Sequence, residues 1–165
     1  AGNLDVSRTE CRLEELIERA VKRTHPSPGD RLHVDLPPDL PQIFVDPERI
    51  EAVLRNLLEN SVKYAGDGSP ITLTAGVQSN RLVVRIKDEG PGIPAEHSTR
   101  IFESFYRVGE ELTRPVPGAG LGLAICQGFI SAHGGEIWLE PQVKGACFAF
   151  SLPLAAITET SLRSA

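Results

Sequence analysis

"DPERIEAVLRNLLENSVKYAG" occupies residues 46–66 and marks its own two ends. Asp46 is an N-cap residue type, and Pro47 suits the first helical position, where a backbone N–H would go unpaired anyway. Gly66 suits the position just past a helix end. Ile50, Val53, Leu54, Leu57, Leu58 and Ser61 recur at helical spacing, which predicts one long helix with a single buried stripe. Asn56, Asn60 and Lys63 fall four and three residues apart, on a polar stripe roughly 100° round from the core face. Asn disfavours helix interiors because its amide competes with the backbone. Such a stripe is either a solvated flank or the polar wall of a cleft. In the second case the amide oxygens are hard ligands suited to Mg²⁺, and the lysine is a point charge for phosphate.

Other elements assemble around this helix. "ECRLEELIERAVKR" (10–23) places Leu13, Leu16, Ile17 and Ala20 at helical spacing and predicts a first amphipathic helix. "RLHVDL" (31–36) alternates like a strand, and "IFV" (43–45) reads as a short one. "ITLTAGV" (71–77) and "RLVVRIK" (81–87), joined by "QSN", predict an antiparallel hairpin. "LGLAICQGFISAH" (121–133) is apolar nearly all round and predicts a buried helix, stopped by Gly134 and Gly135. "EIWLE" and "ACFAFSLP" close the chain as a second hairpin. Residues 1–9 and 155–165 read as tails and 10–154 as the folded domain, with polar sequence at both ends, as expected of a piece of something longer. The fold class is α+β: a two-layer sandwich with a mostly antiparallel mixed sheet and helices on one face.

Composition narrows the function. The chain has 165 residues, a net charge of −5 and no basic run, so a nucleic-acid partner held through phosphates is not expected. A hydrophobic share of 41% and a charged share of 24% suit a globular domain, and no window resembles a membrane span or signal peptide. Cys11, Cys126 and Cys147 are odd in number and lie in apolar patterns, so they are expected to be reduced, buried and inert.

Three irregular stretches invite chemistry. "DEGPGIP" (88–94) ends a strand on a carboxylate and then forbids regular structure. It is either an ordinary Asp/Gly/Pro turn or a site where Asp88 accepts from an amino group while Gly90 and Gly92 let a planar ring approach the backbone. "GAGLGL" (118–123) precedes a helix, where backbone N–H groups can meet an anion, but it matches neither a Rossmann nor a P-loop pattern. "RIFESFYRVGEELTRPVP" (100–117) carries Phe102, Phe105 and Tyr106. It reads as a surface loop over a small satellite core, or as a lid with Arg107 or Arg114 available to phosphate.

Taken in order, Asn56-x3-Asn60-x2-Lys63-Tyr64, Asp88-x-Gly90-x-Gly92-Ile93, Phe102-x2-Phe105-Tyr106-Arg107 and Gly118-x-Gly120-Leu121-Gly122-Leu123 resemble the N, G1, F and G2 boxes of the catalytic ATP-binding domain of sensor histidine kinases. "AHGGEIWLE" and "FAFSLP" resemble that family's usual ending, so the likeness covers about residues 30–154. The resemblance implies an α/β sandwich with a nucleotide between helices and a movable lid. It implies ATP and Mg²⁺ as ligands, with Asn60 and Asn56 on the metal, and Asn56 and Lys63 serving transfer. Lys63, Tyr64, Ile93, Phe105, Arg107, Leu121 and Leu123 would lie at the nucleotide. Asp88 would recognise the adenine amino group, with Gly90 and Gly92 beside it, and Gly118, Gly120 and Gly122 would hinge the lid and meet phosphate. The expected partners are the phosphoacceptor and dimerisation domain of the same kinase and a response regulator. The resemblance further implies a cytoplasmic domain, monomeric in isolation, of a parent that can be membrane-bound.

The sequence also departs from that pattern. Ala119 stands where the family commonly has Thr, and "KGACF" where "GxGT" is usual. None of His25, His33, His97 and His133 sits in a phosphoacceptor setting, and His133, before two glycines, reads as a capping residue. Two rival readings remain. One is an ATPase of the gyrase, Hsp90 and MutL kind, which usually carries a catalytic Glu where this chain has Asn56. The other is a degenerate domain that docks partners without nucleotide.

Overall fold

The computed structural model describes residues 5–66, 68–103 and 122–154. The long helix, α2 (Pro47–Tyr64), is capped as its sequence demands, Asp46 accepting from the N–H groups of Glu48 and Arg49. A cap of this kind is worth about 1 kcal/mol. After the last turn, Gly66 takes a positive φ of 85°, the left-handed conformation that stops a helix. Ile50, Val53, Leu54, Leu57 and Leu58 are fully buried, so the apolar stripe is the face that packs.

The stripe packs on one face of a five-stranded sheet. Its strands are β2 (Leu32–Asp35), β4 (Ile71–Gln78), β5 (Arg81–Asp88), β6 (Glu136–Glu140) and β7 (Cys147–Pro153). Their order is β2-β4-β5-β7-β6, with β2 parallel to β4 and every other pair antiparallel. Alternation sends Leu73, Leu82, Val84, Ile86, Phe148 and Phe150 into the core beneath the helices. Ser79 and Asn80, both with positive φ, turn the β4–β5 hairpin in two residues. The short turn lets β4 run one residue further than expected, to Gln78, and at the far end β5 runs on to Asp88, which pairs with Ile71.

Three expectations are corrected. Helix α1 (Leu13–Arg23) begins at Leu13, because residues 9–11 form a strand instead. That strand, β1 (Thr9–Cys11), pairs antiparallel with β3 (Ile43–Val45) in a separate two-stranded ribbon. Helix α3 (Gly122–Ala132) is not buried all round: Cys126 and Ile130 are buried while Ile125 is 46% exposed. Among the described residues it packs against α2, β6, β7 and the turn at Arg100–Phe102. Ile101 and Phe102 join the main core rather than a satellite, with Phe102 edge-on to Phe148 at 6.4 Å.

Polar contacts lock the helices together. Glu51 of α2 is 3% exposed and accepts from Arg23 at 2.9 Å and Arg19 at 3.4 Å, tying α1 to α2. His133, just past α3, accepts the Asp46 N–H on Nε2 at 3.0 Å. Its Nδ1 lies 2.7 Å from the Phe129 carbonyl, so the ring is neutral with the proton on Nδ1. His133 thus caps the last turn of α3, as expected, and its second nitrogen adds a tie to α2. All three cysteines are free, with Cys126 and Cys147 buried and Cys11 half-buried. Burial pushes the Cys126 thiol up to about 12 and the Cys147 thiol to about 11.

Burial, foremost, pushes His133 below the ordinary histidine value of 6.5; the Phe129 carbonyl and Asp46 oppose this and Arg8 adds to it. The unfolded chain therefore takes up this proton at higher pH than the native state does. The stabilisation is complete above about pH 6.5 and is lost as pH falls through the lower native value. Urea midpoints should decline with acidification below that point, more steeply than those of His133→Gln. Parallel profiles would show that His133 keeps the same affinity for protons on unfolding.

Candidate nucleotide site

The carboxylate that ends β5 is sequestered by backbone. Asp88 is 4% exposed, and its Oδ1 accepts from Gly90 N at 2.9 Å and from Ala146 N at 3.2 Å. Its own N–H donates to the Ala146 carbonyl at 2.8 Å, extending the β5–β7 ladder by one bond. Among the described residues no donor meets Oδ2. The carboxylate is thus oriented through one oxygen and keeps the other for an incoming donor, as an amino group on a planar base would be.

The glycines after it serve a purpose that sequence reading did not assign. A Cβ on Gly90 would stand 2.6 Å from the Ala65 Cα and 2.7 Å from the Tyr64 carbonyl oxygen. A Cβ on Gly92 would stand 2.7 Å from the Gly145 carbonyl, and Gly92 also has a φ of 81°. A Cβ on Gly145, at φ 76°, would collide with the Asp88 carbonyl. The missing side chains therefore admit neighbouring protein backbone, where a ring had been expected. The "KGACF" departure is structural in this sense: Gly145 and Ala146 hold Asp88.

Near the middle of α2, a Cβ on Gly122 would come within 2.8 Å of Asn56 Oδ1. Asn56 Nδ2 donates to the Ala52 carbonyl at 2.9 Å, which fixes the amide with its oxygen toward Gly122. Asn60 is half-buried between these two places, while Lys63 and Tyr64 are exposed, Tyr64 by 60%. Nine residues separate Asn56 from Ala65, so the strip runs about 13 Å along the helix. The strip thus has Asp88 and Gly90 at one end and Gly122 at the other. Ile93 and Leu123 are half-buried and pack against the core. Phe105, Arg107, Gly118, Gly120 and Leu121 lie outside the described residues, as do Tyr106, Arg114 and Ala119.

A shallow groove continues past Asn56 between α2 and α3, lined by Arg49, Asn56, Gly122, Ile125 and Phe129. The Arg49 guanidinium lies over the Phe129 ring at 4.9 Å, a cation–π contact. Two features of the site escaped sequence reading. The Ala146 N–H is a backbone group in a segment legible only as a departure from pattern. Ser61 reads as core by its spacing, yet its hydroxyl is buried without a partner. Among the described residues no helix is long and apolar enough to cross a membrane.

Comparison with known proteins agrees with this geometry. The family model described as "Histidine kinase-, DNA gyrase B-, and HSP90-like ATPase" matches residues 45–156. The adaptive-response sensory kinase SasA of Synechococcus sp. (strain CC9311) is 44% identical over 126 residues, which are 74% of this chain and 32% of SasA. The chain thus spans about a third of that relative's length. Full-length ShkA in complex with AMPPNP superposes with a TM-score of 0.78 at 28% identity, covering 93% of this chain and 32% of ShkA. Histidine kinase ThkA, in complex with response regulator protein TrrA, gives a TM-score of 0.74 at 28% identity over 90% of this chain and 42% of ThkA. With the Asp88 cradle and the asparagine strip on one α/β sandwich, the chain belongs to the histidine kinase-, DNA gyrase B- and HSP90-like ATPase family, as a catalytic domain of the sensor histidine kinase kind.

Proposed function

We propose that residues 10–154 form a domain that binds Mg-ATP and presents the γ-phosphate to a histidine on a separate helical dimerisation domain of the same kinase. The observation that carries this reading is the Asp88 carboxylate, oriented by Gly90 and Ala146 at one end of the α2 polar strip. The base sits at that end, beside Ile93, and the phosphates run along α2 toward Asn56 and Gly122. Lys63 and Tyr64, exposed on the last turn, flank the nucleotide; Leu123 of α3 belongs to the same set, as do Phe105, Arg107, Gly118, Gly120 and Leu121, which lie outside the described residues. A response regulator then receives the phosphoryl group, and the domain acts in the cytoplasm.

The donor set fits a magnesium ion. No cluster of three acidic, histidine or cysteine ligands occurs among the described residues. Mg²⁺ prefers a few hard oxygens plus phosphate and water, which Asn60 and the oriented Oδ1 of Asn56 can supply. When bound, the ion would neutralise charge on the phosphates. The chain's own part is to align the phosphates along α2 and to place Lys63 as a further positive charge. Asn56 stands where gyrase-like ATPases carry a general base, and an amide cannot take a proton from water. Slow hydrolysis of ATP therefore accompanies this reading and separates it from that branch.

Asp88→Asn should weaken ATP binding by about 1–3 kcal/mol, because the oxygen facing the base amino group becomes, in one rotamer, a second donor. Calorimetry would check this, and GTP binding as tightly as ATP would remove Asp88 from base recognition. Asn60→Ala, tested in the full cytoplasmic kinase, should slow phosphorylation more than it weakens nucleotide affinity. Equal losses would reduce Asn60 to pocket support.

Incubated with radiolabelled ATP, the chain alone should remain unlabelled, since transfer needs a nucleophile aligned with the γ-phosphate. His133 is buried and bonded through both ring nitrogens, and His25 and His33 are exposed outside the strip. Adding the helical domain in trans should restore weak labelling on that partner. Label on a histidine of this chain would overturn the assignment of the acceptor.

A further inference from the structure

Ser61 Oγ is the one buried side-chain polar atom among the described residues without a hydrogen-bond partner, in a residue 1% exposed. A sealed, unpaired hydroxyl destabilises a fold, and a stripe that otherwise holds Ile, Val and Leu offers alanine as a cheaper filler. Its placement suggests what the hydroxyl is for. Ser61 and Ala65 lie one turn apart on the same face of α2, and the Ala65 N–H donates to the Ser61 carbonyl at 2.9 Å. Ala65 is the residue whose Cα stands against Gly90. The Gly90 N–H in turn holds Asp88 Oδ1, and α2 packs on β5. The orphan hydroxyl thus occupies the face of α2 turned toward the carboxylate end of β5.

A base with a 6-amino group also presents a ring acceptor, N1, directly beside that amino group. Reading both atoms needs an acceptor and a donor side by side. A carboxylate can only accept. The two N–H groups nearest its carboxylate, those of Gly90 and Ala146, are already spent on Oδ1. Ser61 supplies the missing donor. We propose that Ser61 is a base-reading residue whose hydroxyl donates to N1 of adenine, directly or through one bound water, while Asp88 takes the amino group. This rests on the ATP-binding reading above. Seating the base gives the hydroxyl the partner it lacks in the ligand-free protein.

The substitution Ser61→Ala gives opposite signs in two measurements. Without nucleotide the variant should be the more stable protein, with a higher urea midpoint, because an unpaired buried hydroxyl is removed. By calorimetry it should bind ATP about three- to tenfold more weakly, the ratio set by one neutral hydrogen bond. The deciding ligand is 1-deaza-ATP, in which N1 is replaced by C–H and the amino group is kept. The unsubstituted chain should prefer ATP to this analogue by the same factor, and Ser61→Ala should bind the two alike. A merely structural serine would move stability and leave the ATP to 1-deaza-ATP ratio unchanged; an equal ratio in both proteins overturns the assignment of Ser61 alone. No binding of either nucleotide to the unsubstituted chain overturns the assignment together with the reading beneath it.

Discussion

The N–H of Asp46 donates to Nε2 of His133 across 87 residues of chain, and the cleft depends on that bond. Asp46 starts α2 and His133 follows α3, so this buried contact sets one helix against the other. The Asp46 carboxylate caps its own helix through Oδ1 and accepts the Ser7 N–H through Oδ2 at 3.0 Å. One residue thus joins the N-terminal ribbon, the long helix and the last helix. The Asn56–Gly122 approach lies along the same seam, so the phosphate end of the strip inherits its width from a contact remote from any ligand.

The other end of the strip is set by backbone meeting backbone. Gly90 against Ala65, Gly92 against Gly145, and Gly145 against Asp88 form a chain of contacts that no side chain could enter. Such contacts leave little room for adjustment, since packed backbone cannot move away as a flexible side chain can. Asp88 is therefore oriented before any ligand arrives, and binding does not have to supply that ordering.

Much of this was legible in residue order, and the remainder was hidden for identifiable reasons. Asp46, Pro47 and Gly66 announced both ends of α2 because caps are local. Strand alternation announced both hairpins for the same reason. The ribbon of β1 and β3 was missed on the β1 side, because three residues carry too little period and their partners lie some 34 positions away. Helix α3 read as buried because apolarity records what could be covered, whereas the packing among the described residues leaves Ile125 in the open. The asparagine strip and Asp88 were legible as chemistry. The reason for the glycines was not, since a sequence names a missing side chain without naming what fills the space. The lid residues of that reading, Phe105 through Leu121, lie outside the described residues.

Two of the three thiols are protonated at any ordinary working pH, and thiolate is the form that alkylating reagents attack. Cys126 and Cys147 are also shielded by the core, whereas Cys11 lies half-buried on the β1 strand, bonded only to Thr9 and the Val45 carbonyl. A maleimide dye offered to the native protein consequently has one preferred attachment point, on the ribbon and away from the strip between Asp88 and Gly122. The chain comes with a natural handle for fluorescence or spin labelling that requires no engineered cysteine and leaves the cleft chemically untouched.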